Sequence, residues 1–184
     1  MSDFAGCRLD RLEPGAHFLV SAMREWVIGA QSRRCVCATI DRAFTAYRVE
    51  QVAASFHRMM RTISGHAQTS IYFGQRDRET ITAHEALLLE ALAHSQAHNG
   101  EGEESVRRLA SHLVHAPMAP TLAEQIYRIS RSLDCSGHKV GVRAPGMAEG
   151  TLRGIVQQAL SGLPLSLRSA LWGASDQGPV SRDV

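Results

Sequence analysis

Four cysteines and nine histidines are the side chains in this sequence best able to do chemistry, and their spacing decides which chemistry. Cys35 and Cys37 occupy the connection between two helical patterns. Thiolates in such a pair ligate soft metals or exchange with disulfides. A gap of one residue is shorter than the two-residue gap of structural zinc sites and thioredoxin-like motifs, so a composite site requires folding to bring in Cys135 and His138. The expected role of these cysteines is therefore that of small buried hydrophobes. Glu90, His94 and His98 recur at i, i+4, i+8, and histidines four apart on a helix can chelate one metal. That stripe points away from Leu88 and Leu92 and is expected in solvent, as are His112 and His115 on the Arg108 face of their own helix. Without a second acid–histidine motif, a di-iron centre inside a bundle is not indicated. Cys35, Cys37, His94 and His98 stand as the metal candidates, and no cofactor is identified.

No catalytic residue is singled out. The chain has no phosphate-cradling glycine loop, no nucleophile elbow and no paired carboxylates at a recognisable spacing. Glu104 to Leu133 can be drawn as a helix-turn-helix, with Gln125, Arg128 and Arg131 on a partly shared face of the second helix. Two prolines in Ala116-Pro-Met-Ala-Pro120 suit that tight turn poorly. Residues 81–138 also carry four arginines against seven acids, the wrong balance for neutralising phosphates.

The elements that would position these residues are all helical. Pro14-Gly15 opens a first helix with an apolar face of Phe18, Leu19, Ala22, Met23, Trp26 and Val27. Ile40, Phe44, Tyr47, Val52, Phe56, Met59 and Ile63 continue near the 3.6 period. The pattern falters over Arg48–Gln51, which suggests two helices breaking near Tyr47. Thr39 is a candidate N-cap, and Gly65 is the expected terminator. Residues 64–80 form a long connection in which Ile71-Tyr72-Phe73 should pack down while residues 75–79 stay wet.

Thr82 and Glu85 then make a capping box, followed by Leu87, Leu88, Leu89 and Leu92 around most of a helix. A helix apolar on nearly all sides is a central one. Glu103 and Glu104 open the next helix, and Thr121 with Glu124 reads as a second capping box. A further helix is expected over Thr151–Leu160, and a short last one over Leu165–Trp172. The fold class is all-α, an irregular or orthogonal bundle of about six helices around a central apolar helix near 82–97. The expected organisation is a flexible arm over 1–13, a single helical domain over 14–172 and a flexible tail over 173–184.

With 184 residues, 44% hydrophobic and 21% charged, the chain can bury its own core and is not expected to be disordered. No run approaches the roughly 18 apolar residues of a membrane span, and no secretory leader is visible at the start. Cysteines without a framework spacing point to reduced thiols in the cytoplasm. The formal charge of +2 is too small to imply nucleic acid or an anionic membrane as partner. Lys139 is the only lysine among twenty basic residues, which reads as a GC-rich codon bias.

An arginine-containing helical half, the cysteine-bearing connection and the capped Leu-Leu-Leu helix, over residues 16–95, resemble small all-helical proteins of GC-rich alphaproteobacteria. The resemblance implies a bacterial cytosolic helical protein and brings no activity with it. Leu165, Leu167, Leu171 and Trp172 add apolar surface beyond what one small bundle covers. The function expected is thus a non-enzymatic interaction or regulatory module, with a protein partner or a second copy in a homodimer. The alternatives are a helical protein binding a small ligand or metal, and a helix-turn-helix regulator.

Overall fold

A computed structural model describes residues 4–32, 35, 37–97 and 102–143. The helix α4 (Ala83–Gln96) starts as the Thr82–Glu85 spacing requires. Thr82 Oγ1 accepts the Glu85 N–H at 3.2 Å, and the Glu85 carboxylate accepts the Thr82 N–H at 2.7 Å. Leu88, Leu89 and Leu92 are wholly buried, and Leu87 is partly so. They are covered by α5 (Gly102–Leu113) and α6 (Ala119–Cys135). The helix α6 also packs on α3 (Glu50–His66), α3 on α2 (Cys37–Ala46), and α2 on α1 (Pro14–Gln31). The described residues thus make an all-α bundle of six helices without a strand, in which α6 shares the centre with α4. One continuous core joins Leu19 and Met23 of α1, Phe44 of α2, Phe56 of α3, the α4 leucines and Ile126 and Ile129 of α6. None of the described helices is long and apolar enough to cross a membrane.

The break near Tyr47 has a specific cause. Arg48 adopts a left-handed φ of 60°, its N–H bonds to the Thr45 carbonyl at 2.9 Å, and the Val49 N–H bonds to the Phe44 carbonyl at 2.9 Å. These are the two bonds of a Schellman stop, which satisfies the last carbonyls of α2 and turns the chain into α3. The same pair of bonds closes α6, with Gly137 at φ 77° in the left-handed position. Arginine at that position pays a steric cost that glycine avoids.

Two expected caps are not used. Thr39 lies inside α2, which already begins at Cys37. Thr121 lies inside α6, because Pro120 fixes the first turn and Met118 takes the cap position without a side-chain bond. Glu124 pairs instead with Arg128 one turn on, at 2.5 Å. Gly65 does not terminate α3, which runs on to His66.

The expected arm over 1–13 needs correction in its described part. Leu12 is fully buried and Phe4 nearly so. Cys7 and Leu9 exchange backbone bonds with Ile81 and Glu79, at 3.0 and 2.8 Å. On the other side, residues 141–143 return along the same stretch: Glu13 donates to the Gly141 carbonyl at 2.9 Å, and Arg143 to the Arg11 carbonyl at 2.8 Å. Polar composition suggested a free arm, but three well-spaced apolar residues and main-chain pairing hold it down. Gln96 ties the same return to α4, donating to the His138 carbonyl at 3.0 Å and accepting from the Val140 N–H at 2.9 Å. The helices expected over 151–160 and 165–172, and the tail over 173–184, lie outside the described residues.

Two stability measurements check this description. Leu88→Ala removes a wholly buried side chain and should cost about 2–5 kcal/mol in a denaturant melt. Arg48→Gly should raise stability by up to about 1 kcal/mol in the same melt, since glycine takes the left-handed stop without strain.

Candidate functional site

Arg24, in the middle of α1, and Glu85, in the first turn of α4, are 2% and 0% exposed and face each other inside the bundle. Arg24 Nε donates to Glu85 Oε1 at 2.8 Å, and Nη2 donates to Oε2 at 3.1 Å. Two further guanidinium bonds go to main chain. Nη1 donates to the Arg78 carbonyl at 2.6 Å, and Nη2 to the Thr80 carbonyl at 3.0 Å. Glu85 Oε1 in turn accepts the Gly74 N–H at 3.0 Å while Oε2 serves the capping box. A buried pair of this kind is tolerable when its leftover donors and acceptors find partners, and here the guanidinium makes four bonds and the carboxylate accepts two backbone N–H groups besides.

The groups that fill them all belong to the connection between α3 and α4. Gly74 packs so tightly that a Cβ there would lie 2.7 Å from Arg24 Nη2, which excludes any larger residue without a shift. Thr82 Oγ1 donates to the Tyr72 carbonyl at 2.9 Å, and the Tyr72 N–H donates to His84 Nδ1 at 3.1 Å. Ile71 and Phe73 pack partly buried against the core, as their apolar character required, while residues 75–79 are exposed. The result is a strap over residues 67–82, fixed from below.

Its outer side is distinctive. Tyr72, 51% exposed, is the only exposed large hydrophobic among the described residues. The Arg78 guanidinium carbon lies 6.0 Å from its ring centroid, within reach of a cation–π contact. Arg76 is drawn back onto Glu25 at 2.5 Å and Glu79 onto Arg8 at 2.8 Å. Sequence reasoning found the capping box but missed Arg24. It sits in Met23-Arg-Glu-Trp26 beside a second charge, Glu25, and nothing in that local pattern marks Arg24 as the partner of Glu85.

The metal candidates make no common site among the described residues. Among the described residues no three of His, Cys, Asp and Glu are grouped as a metal would require. His94 is exposed, 3.9 Å from Glu90, and His98 lies outside the described residues. Cys35, Cys37 and Cys135 are exposed and Cys7 is half-buried, so the expectation of buried cysteines is overturned. The core side of α2 begins at Ile40, which leaves its first turn overhanging the bundle, and Cys135 is the last residue of α6. His138 stacks on Tyr47 with ring centroids 4.3 Å apart, and Tyr47 stacks on Phe18 at 4.2 Å. Burial lowers the His138 pKa and, with the Glu13 carboxylate, raises that of Tyr47. On the helix-turn-helix outline, Gln125 is buried and Arg128 is paired with Glu124, so Arg131 is the only one of the three left for a base or phosphate.

No protein-family model, curated protein or solved structure matches the chain.

Two outcomes follow from the buried titratable groups of α1. Arg24→Met leaves Glu85 buried without its counter-charge and should cost about 3–5 kcal/mol. It should also speed tryptic cleavage at Arg76 and Arg78, because the Arg78 and Thr80 carbonyls lose their anchor. His17 on α1 is held to a pKa of about 4, by burial first and then by Arg24 and Arg143. A lowered histidine pKa means that the unfolded chain takes the proton more readily. Stability from this group is therefore complete above about pH 6.5, falls as the pH drops towards 4 and levels off below it, a swing of about 3 kcal/mol. Urea melts at pH 7 and pH 5 should show the fall, and His17→Gln should reduce it.

Proposed function

We propose that this chain is a non-enzymatic helical interaction module that acts through the strap over residues 67–82. The observation that carries this reading is the use of a fully buried ion pair to hold an exposed connection in one shape. Loops fixed on a rigid scaffold are where binding residues concentrate, and preorganisation lowers the entropic cost of association. Tyr72 with Arg78 over its ring supplies an aromatic and an arginine together, the side chains most enriched at interface hot spots.

The partner we propose is a second copy. Asp77 and Arg78 are exposed and adjacent in sequence with opposite charges, while Arg76 and Glu79 are occupied by Glu25 and Arg8. A twofold axis through the strap would set each Arg78 against the other copy's Asp77 and bring the two tyrosines together, the self-complementarity that an isologous interface needs. Nucleic acid is the poorer partner, given the buried Gln125 and the paired Arg128. A reducing cytoplasm is the proposed setting, supported by four cysteines that are all free thiols.

Sedimentation equilibrium over a wide concentration range tests the reading. The chain should self-associate, and Tyr72→Glu should shift it to monomer while leaving its helical circular dichroism intact. A chain that stays monomeric throughout, or a Tyr72→Glu variant that dimerises as strongly as the parent, would overturn it.

A further inference from the structure

Independently of the strap, a second exposed feature sits at the opening of α2. Cys37 is the first residue of that helix, and Cys35 precedes it by two positions. Both are exposed, and a single residue separates them in the chain, with Cys37 presenting its backbone N–H at the opening of the helix. That N–H is one of the first-turn donors with no partner inside the helix, and it favours a negative charge placed near it. The two sulfurs are therefore unequal. The Cys35 thiol is pulled below its ordinary pKa, first by the backbone N–H and then by the neighbouring thiol, whereas sharing that thiol proton raises Cys37. Asp41, one turn along α2 from Cys37, opposes charge on either sulfur, and its carboxylate lies 3.3 Å from His57 Nε2 of α3. A metal is the weaker use of this pair, because no third ligand joins it among the described residues.

We propose that Cys35 and Cys37 form an exposed dithiol that exchanges with small-molecule disulfides, Cys35 being the attacking sulfur and Cys37 the resolving one. In the first step the Cys35 thiolate attacks one sulfur of the disulfide. A Cys35–S–S–R bond forms, the original S–S bond breaks, and one R–S⁻ leaves. In the second step the Cys37 thiol gives up its proton and attacks the Cys35 sulfur, releasing a second R–S⁻. The balance is dithiol plus R–S–S–R giving the Cys35–Cys37 disulfide and two R–SH, the two thiol protons passing to the leaving thiolates. The electrons for reducing the small disulfide come from the pair itself.

Geometry permits the closure. Residues two apart in a chain are separated by at most about 7 Å, and disulfides span Cα distances of about 4.4–6.8 Å. The ring so formed is small and strained, which makes it readily reduced again, as an exchanging site requires and a structural disulfide does not.

The test uses the full chain, freshly reduced and then exposed to glutathione disulfide. At intervals the reaction is quenched in acid, alkylated and digested with trypsin. Cleavage after Arg34 and Arg42 isolates a peptide holding Cys35 and Cys37 and no other cysteine. This peptide should lose two hydrogens while Cys135 remains reduced. In Cys37→Ser, glutathione should accumulate on Cys35 at the parent's rate. In Cys35→Ser, reaction at Cys37 should slow by roughly ten-fold or more. Cys35 reacting no faster than Cys135, or a parent chain that stops at the glutathione adduct without closing, would overturn the proposal. Both serine variants alter exposed positions, so the core is untouched and their helical content serves as the folding control.

Discussion

The contact between the Arg24 guanidinium and the Glu85 carboxylate is the constraint on which the rest of this molecule depends. Each charge has left water, and neither can be tolerated there without the other. Together they draw further hydrogen bonds from three stretches of main chain: Gly74, Arg78–Thr80 and Thr82. One pair thus fixes α1 against α4, sets the entry of the central helix and shapes the strap that crosses them. Exposed pairs such as Arg107–Glu103 and Arg128–Glu124 hold nothing comparable in place and contribute at most a few tenths of a kcal/mol each.

Closure of the bundle rests on a second set of polar contacts with the same logic. Gln96, buried near the end of α4, bonds to residues 138 and 140 through both ends of its amide. The segment it holds pairs in turn with residues 11–13, and residues 7–9 pair with 79–81. The strap, the opening stretch and the return after α6 therefore brace one another around the ends of α1 and α4. Irregular chain is accommodated here because its backbone groups find partners.

The surface left by this arrangement is polar and charged, and the features that stand out on it are side chains at the ends and connections of helices. Tyr72 is exposed because the residues on either side of it turn inward, and the thiols of Cys35 and Cys37 because α2 overhangs its neighbours. Neither feature lies in the middle of a helix face, where a periodicity argument would look. His94, the described histidine of the stripe that such an argument selected, reaches solvent and lies 3.9 Å from Glu90.

What the sequence determined by itself is whatever depends on near neighbours in the chain. The leucines of α4, the apolar residues of α1 and α3, and the Thr82–Glu85 box follow from spacing, because side chains three or four apart must share a helix face. The failing pattern at Arg48–Gln51 even located the stop that a left-handed residue makes. Caps were less legible: Thr39 and Thr121 had the right chemistry, but helices that start earlier took them into their interiors. Only the tertiary structure decided which polar residue would be buried and with what. Arg24 and Glu85 are 61 positions apart, and nothing local distinguishes that arginine from the others. Its fate depended on a carboxylate delivered by another helix and on carbonyls delivered by a loop, partners that exist at bonding distance only once the chain has folded.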